Sequence, residues 1–386
     1  MKALIVATVY GFVESFLKSD IKLLQDKGYK VYVAVNTEIM NHGGLDGLDI
    51  ELVDIPFARS PFSSENKRAF DLLYNLMENE AFDLVHCHTP VGGVEARKAV
   101  DKLAANGKKR PKVIYTAHGF HFYKGAPVGN WLTFYNVEKK YAKSTDVIVT
   151  INHEDYILAS EKFKPRLNVR YCPGVGIDTE EIAKLSGNAD RAAIRKGLGV
   201  PDSAYLIMSI GELNDNKNHE AVIKALHLYN DKNIYYVIYG EGPKRKALET
   251  MIKSFGMEEN VKLAGFSEDA VKNLAAADLF ILPSKREGLC VSLLEAMAMG
   301  LPCLTSEIRG NVDLIQPVKL TREDNFVPLF KPNDPAEISG KIKFLRENKA
   351  VSEKLADLNK GRAKDFDQKK VTARMSEIYD SVEKMA

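Results

Sequence analysis

Ala204-Tyr205-Leu206-Ile207-Met208-Ser209-Ile210 runs directly into Gly211-Glu212-Leu213-Asn214-Asp215-Asn216-Lys217-Asn218-His219. A short apolar run, a glycine turn and an amphipathic stretch describe a buried strand feeding a helix. The unit recurs through nearly the whole chain, and such alternation predicts parallel sheets covered by helices. In the first half the strands fall at 2–7, 29–35, 50–54, 82–87, 112–116 and 146–151, with helices at 13–27, 65–79, 91–106, 130–143 and 153–163. In the second half strands fall at 204–210, 234–239, 261–264, 279–282 and 302–305. Between Tyr171 and Gly187 the apolar period lapses around Cys172-Pro173-Gly174-Val175-Gly176, which marks a domain boundary. The expected fold class is therefore α/β, with two Rossmann-like parallel-sheet domains whose strand ends face a central cleft. The first domain is expected over 1–175 and the second over 186–365, with a C-terminal helix over 366–386 packing back on the first.

Composition agrees with two full cores. At 386 residues the chain exceeds what one hydrophobic core usually serves. Its 45% hydrophobic and 27% charged content is that of an ordinary globular protein, without low-complexity stretches. No apolar run reaches the length of a spanning helix. The start Met1-Lys2-Ala3-Leu4-Ile5-Val6-Ala7 is too short for a signal core and reads as a first buried strand. Cys87, Cys172, Cys290 and Cys303 have neither metal-like nor disulfide-framework spacing, so a reducing, cytoplasmic setting is expected.

The net charge of +2 hides an uneven spread. From Arg97 to Lys143 eleven Lys or Arg stand against Asp101 and Glu138. The same window holds Phe120, Phe122, Tyr123, Trp131, Phe134 and Tyr135. Basic residues mixed with exposed aromatics suit an anionic membrane surface; the bland alternative is a solvated helix face above core aromatics. Nucleic acid is the weaker partner, because no nucleic-acid motif accompanies the charge.

The strand ends of the second half carry the chemistry. Lys217 at the start of the helix after Gly211 makes an anion site with the helix amino terminus. Gly240-Glu241-Gly242-Pro243 admits close backbone approach, and Gly265-Phe266 offers backbone groups and a ring to a flat base. Arg286-Glu287-Gly288-Leu289-Cys290-Val291-Ser292-Leu293-Leu294-Glu295 places two glutamates eight positions apart. With a helix over Leu289 to Met299, Glu287 stands at its mouth and Glu295 about two turns on, near the same face. An ionisable Glu295 in that apolar run needs a partner, which a polyhydroxylated ligand supplies; a capping glutamate and a solvated one are the plain alternative.

The order of Gly211 to Lys217, Gly240-Glu241-Gly242-Pro243, Gly265-Phe266 and Glu287-x7-Glu295 resembles the retaining glycosyltransferases of family 4, which have the GT-B fold. In the first half His86-Cys87-His88-Thr89-Pro90 and Tyr115-Thr116-Ala117-His118-Gly119-Phe120-His121-Phe122 look like the subgroup that builds capsular and exopolysaccharide repeat units on lipid carriers. The resemblance implies a nucleotide-sugar donor, UDP-linked, and a lipid-linked saccharide or polyprenyl-phosphate acceptor at the inner face of the cytoplasmic membrane. It implies that Glu295 holds the ribose, that Glu287 with the N–H groups from Gly288, Leu289 and Cys290 holds the donor sugar, and that Lys217 neutralises the diphosphate. Gly11, Gly211, Gly240, Gly265 and Phe266 then line the donor site, Gly11 in a loop beneath the phosphates. His118 contacts the transferred sugar, and Arg59, His88 and His121 meet the acceptor. No cofactor and no metal are implied, and no Asp-x-Asp stands at a convincing strand end. Family members commonly carry Arg where this chain has Glu212, so Lys217 works with backbone amides alone or Lys285, Arg286 or Arg309 supplies the second cation.

Three rival readings accompany this one. His86, His88, His118 and His121 could ligate zinc or iron. A UDP-sugar 2-epimerase shares the architecture but needs extra acid and base carboxylates. An inactive nucleotide-sugar or membrane-binding module is the third, kept open by Glu212.

Overall fold

The computed structural model describes residues 1–38, 44–321 and 323–384. The chain divides into two compact units, Met1–Val175 with the segment from Lys369 onward, and Gly176–Gln368. The second unit begins ahead of residue 186, because the helix Thr179–Gly187 and the preceding Ile177 bury Ile177 and Ile182 in its core. Residues 385–386 of the expected C-terminal helix lie outside the described residues.

The first unit is built on seven parallel strands: β1 (Lys2–Val9), β2 (Lys30–Asn36), β3 (Ile50–Asp54), β4 (Leu84–His88), β5 (Lys112–Ala117), β6 (Val147–Thr150) and β7 (Asn168–Tyr171). They lie in the order β3-β2-β1-β4-β5-β6-β7. Alternation along β1 sends Leu4 and Val6 into one core and Ala3, Ile5 and Ala7 into the other. A sheet buried on both faces therefore reads as a continuous apolar run. The C-terminal helix Gln368–Glu383 closes the second of these faces with Val371, Met375, Ile378, Tyr379 and Val382. β7 falls outside the expected strands because it is a half-exposed edge strand without an apolar run.

Two helices depart from expectation. The first segment is not one helix over 13–27 but two, Tyr10–Phe16 and Lys18–Asp26, which bend at the buried Leu17 (φ −115°, ψ 5°). Helix starts at Tyr10, directly at the end of β1, so Gly11 lies in a first helical turn rather than in a loop. The segment expected over 130–143 begins with a turn at Val128–Asn130, passes through a π-helical stretch, Trp131–Tyr135, and continues as α-helix from Asn136 to Ala142.

The basic and aromatic window is not one solvated face. Phe120 and Phe122 are core residues, and Trp131, Phe134 and Tyr135 pack partly buried against them. Arg97 is fully buried, donates from Nη2 to Glu138 Oε2 (2.8 Å) and from Nε to the Gly93 carbonyl (2.8 Å), and stacks 3.9 Å from the Tyr115 ring centre. Tyr115 donates its hydroxyl proton to Glu138 Oε1 (3.0 Å). Other cations of the window are tied to carboxylates, Lys108 to Glu78, Lys109 to Asp83 and Arg110 to Asp146. The exposed apolar side chains nearby are Val128, Leu132 and Val137, with Phe62 from the loop after β3.

The second unit repeats the plan with β8 (Tyr205–Ile210), β9 (Ile234–Tyr239), β10 (Val261–Gly265), β11 (Leu279–Leu282) and β12 (Cys303–Ser306). A short antiparallel ribbon, β13 (Val318–Lys319) with β14 (Asn325–Phe326), precedes β15 (Leu329–Phe330). The parallel order is β10-β9-β8-β11-β12-β15, and β15 escapes sequence reading because it is two residues long. Leu206 and Met208 face one core and Ile207 the other. Among the described residues no helix is long and apolar enough to cross a membrane.

Removing one partner of a buried ion pair leaves the other charged and unpaired. Glu138→Ala is expected to lower the stability of the first unit by about 3–5 kcal/mol in urea titration. Opening the exposed Lys30–Glu51 pair should barely move the same midpoint.

Candidate functional site

In the second unit the ends of β8, β9, β10 and β11 are packed together by backbone. Gly211 N–H donates to the Tyr239 carbonyl (2.9 Å) and Gly240 N–H to the Gly265 carbonyl (2.8 Å). Gly240 has φ +145°, and a Cβ there would collide with the Gly211 carbonyl. The glycine is thus required first by another turn of this chain. Phe266 stands beyond Gly265 with 78% of its surface exposed.

The loop after β11 is tied to the loop after β8. Lys285 N–H donates to the Asn216 carbonyl (2.8 Å), and Asn216 Nδ2 donates to the Arg286 carbonyl (2.9 Å). This clamp brings Lys217 to Glu287 across seventy positions, Nζ donating to Oε1 at 2.7 Å. Lys217 does not lie on the helix expected for it. The helix after Lys217 starts at His219, preceded by left-handed Asn218 (φ 56°). The helix after Glu287 spans Val291–Met299 with Cys290 as its N-cap, so Glu287 and Glu295 do not share a helix face. Ser292, which sequence reading passed over, donates to the Ile210 carbonyl (3.0 Å) and pins this helix start to β8.

Electrostatics at the pair are one-sided. Burial works against the Lys217 ammonium, but Cys290, Glu287 and Glu212 outweigh it and hold its pKa above the ordinary value. The Cys290 contribution needs a thiolate, and burial pushes that thiol up, so Glu287 is the effective partner at neutral pH. Glu212, whose charge opposed the expected site, is exposed. Arg309 is buried and donates from Nε to the Glu287 carbonyl (3.3 Å), so a second cation sits against the Glu287–Cys290 loop. Gly310 follows in a left-handed conformation (φ +78°) where a Cβ would strike the Gly288 carbonyl. Burial raises the Glu295 carboxyl to about 7.

The first unit gathers a different set. His86 and His88 both point to the face of β4 that the C-terminal helix covers. His86 shares hydrogen bonds with the Tyr379 hydroxyl at Nδ1 (2.7 Å) and with Thr116 Oγ1 at Nε2 (2.8 Å). His88 Nδ1 meets His118 Nε2 at 3.0 Å, and Phe12 sets its ring edge-on to His118 at 4.8 Å. Burial lowers His118 to about 4, and burial with the His118 charge lowers His86 to about 3, so both are neutral at pH 7. His121 lies elsewhere, against Phe134, its carbonyl accepting from Asn130 Nδ2 (2.7 Å). Arg59 is exposed on the loop after β3. Metal-ligand spacing among the described residues is found for Asp20, His86 and His88, whose ligand atoms lie within 4.8 Å of one another, and not for a set containing His118 and His121. Asp20 was missed in the sequence, where it reads as a polar position of an amphipathic helix; burial raises its carboxyl to about 7.

Residues 3–152 match the family described as Glycosyl transferase 4-like, and residues 190–364 match Glycosyl transferases group 1. EpsD from Bacillus subtilis (strain 168), named as a glycosyltransferase, is 33% identical over 382 residues, spanning 98% of this chain and 96% of that protein. The UDP-Gal:alpha-D-GlcNAc-diphosphoundecaprenol alpha-1,3-galactosyltransferase of Escherichia coli is 29% identical over 250 residues, 63% of this chain and 62% of that one. The structure of HepE from Anabaena with UDP and glucose superposes with a TM-score of 0.77 at 18% identity, covering 98% of this chain and 99% of the other. Two parallel-sheet units of this order, with these matches, define a glycosyltransferase of the GT-B fold. The chain belongs to glycosyltransferase family 4.

A carboxyl whose folded pKa is raised contributes its stability fully below the ordinary value near 4.5, and that contribution is lost as pH rises through about 7. Glu295→Gln removes this loss. Without ligand, its melting temperature should gain on the wild type from pH 5 to about pH 7 and level off above that; a difference that stays constant from pH 5 to pH 7 contradicts the assignment.

Proposed function

We propose that the protein transfers a hexosyl or N-acetylhexosaminyl residue from a UDP-sugar to a lipid-linked saccharide or polyprenyl-phosphate acceptor in cell-surface polysaccharide synthesis, with retention of configuration. The observation that carries this reading is the Lys217–Glu287 pair at the mouth of the helix Val291–Met299, with Arg309 beside it. An ammonium has three protons to give. With one on Glu287 and a second directed at Cys290 Sγ (3.9 Å), Lys217 keeps the third for a diphosphate, while the free Glu287 oxygen and the Gly288, Leu289 and Cys290 amides take sugar hydroxyls. Glu295 takes the ribose hydroxyls, and Gly211, Gly240, Gly265 and Phe266 surround the nucleoside. Gly11 lies with His118 on the first unit, His118 on the transferred sugar. His121 and Arg59 are assigned to the acceptor, and His88, expected there from the sequence, instead orients His118 through Nδ1.

The leaving diphosphate oxygen takes the electron pair of the glycosidic bond, and the acceptor oxygen bonds to the same face of the sugar carbon and gives its proton to that phosphate oxygen. Lys217, Arg309 and the helix amino terminus stabilise the charge that grows on the leaving group more than the ground-state charge. Arg309 answers the electrostatic deficit left by Glu212. No divalent ion is required at the diphosphate.

The E. coli relative's name specifies a UDP-galactose donor and a diphosphoundecaprenol acceptor, and HepE binds UDP and glucose; both support a UDP-sugar and, for the first, a lipid carrier. A groove of about 230 Å³ lined by Phe62, Val91, Val94, Phe134, Val137 and Tyr141 suits the lipid of such an acceptor. Beside it, exposed Val128 and Leu132 with Lys139, Lys140 and Lys143 form the surface proposed to rest on the inner face of the cytoplasmic membrane.

Lys217→Met and Glu295→Ala are expected to weaken UDP binding about tenfold or more, and His118→Ala to lower turnover with little change in UDP affinity. UDP binding in calorimetry should survive EDTA. Wild-type behaviour in all three variants would overturn the site, and epimer formation without acceptor would overturn transfer. Leu132→Glu should reduce flotation with vesicles containing anionic lipid while leaving UDP affinity unchanged.

A further inference from the structure

We propose that Asp20, His86 and His88 form a binding site for one divalent transition-metal ion of the zinc class, built from residues of the first unit alone. Their ligand atoms converge to within 4.8 Å from two elements, the helix Lys18–Asp26 and β4. His88 Nε2 is buried without a hydrogen-bond partner, while Nδ1 is engaged by His118 at 3.0 Å. An imidazole oriented through one nitrogen with the other unclaimed has the form of a metal ligand backed by an outer-shell partner.

Asp20 supplies the second half of the argument. Its carboxylate is desolvated, and among the described residues no cation pairs with it. A half-buried, desolvated carboxylate without a cation, beside a buried nitrogen without a partner, is costly for both. A cavity of about 20 Å³ lies against Asp20, His88, Thr116 and His118. That volume admits one water-sized species, and an ion there satisfies both groups at once. His86 is held by two hydroxyls, Tyr379 and Thr116. On coordination it releases one and keeps the other as its orienting partner. Two imidazoles and a carboxylate with a fourth position left open form a donor set suited to zinc.

The ion has a defined effect on its neighbour. Bound to His88 Nε2, it leaves the His88 proton on Nδ1, where it is donated to His118 Nε2. His118 must then carry its own proton on Nδ1. Occupancy of the site thus selects one tautomer of His118, and does so whether or not the sugar-nucleotide assignment of the second unit holds.

The full-length protein, stripped with EDTA and desalted, is titrated with Zn²⁺ in competition with a chromogenic chelator, and separately with Co²⁺ while visible absorption is recorded. One equivalent should bind, Co²⁺ should show the intense bands of a low-coordinate ion, and Zn²⁺ should raise the melting temperature. Asp20→Asn and His88→Gln should each weaken Zn²⁺ binding about tenfold or more, whereas His227→Gln on an exposed helix position should not. Absence of stoichiometric binding in the wild type, or wild-type affinity in both ligand variants, overturns the proposal. Should a variant lose its melting transition, the wild-type Co²⁺ spectrum decides alone: weak six-coordinate bands refute the site.

Discussion

Each unit rests on a parallel sheet buried on both faces, and that constraint decides where polar chemistry can stand. Along β1 and β8 consecutive residues enter opposite cores, so the interior positions of both strands are buried and only their end residues are partly exposed. Hydrogen-bonding side chains collect at the carboxyl ends, where strands give way to turns and helix starts. Lys217, Glu287 and Arg309 are gathered in this way. Polar side chains inside the strands are paired there: His86 and His88 are held by Tyr379, Thr116 and His118, and Ser209 by Tyr236 and the Ile281 carbonyl.

The glycine turns acquire a different meaning from this packing. Gly240 and Gly310 are dictated by carbonyls of Gly211 and Gly288, which lie where a side chain would begin. The turns are close-packed among themselves, and the surface available to a ligand is what their stacked backbones leave open. Glu212 loses its force as a contradiction for a related reason. Its side chain is exposed and acts on Lys217 less than Glu287 does, while Arg309 is buried against the loop that carries Glu287.

Strands with long apolar runs were legible, because burial on both faces writes itself into consecutive residues. β7 and β15 were not, one being a half-exposed edge and the other two residues long. The basic window misled for the converse reason. Sequence lists Arg97, Phe120 and Phe122 beside exposed lysines, but only the fold sends the first into an ion pair with Glu138 and the other two into the core. Asp20 was invisible, since its burial needs the bend at Leu17 and a helix from the far end of the chain. Glu287 and Glu295 stand out in the sequence as charged residues around an apolar run, but they do not share a helix face, because the helix starts two residues later than its apolar pattern implies.

Hydrophobic periodicity and turn chemistry are local properties, so the amino-acid sequence by itself determined the α/β class, most of the strands and the residue types present at their ends. Its motifs also carried the family. What tertiary structure alone decided are the partnerships: Lys217 with Glu287, Arg97 with Glu138, His86 with Tyr379 and Asp20 with the strand histidines. These join positions up to 293 residues apart. Charge and hydrogen bonding act over a few ångströms of space whatever the separation along the chain, and only the packed sheets bring such residues within that range.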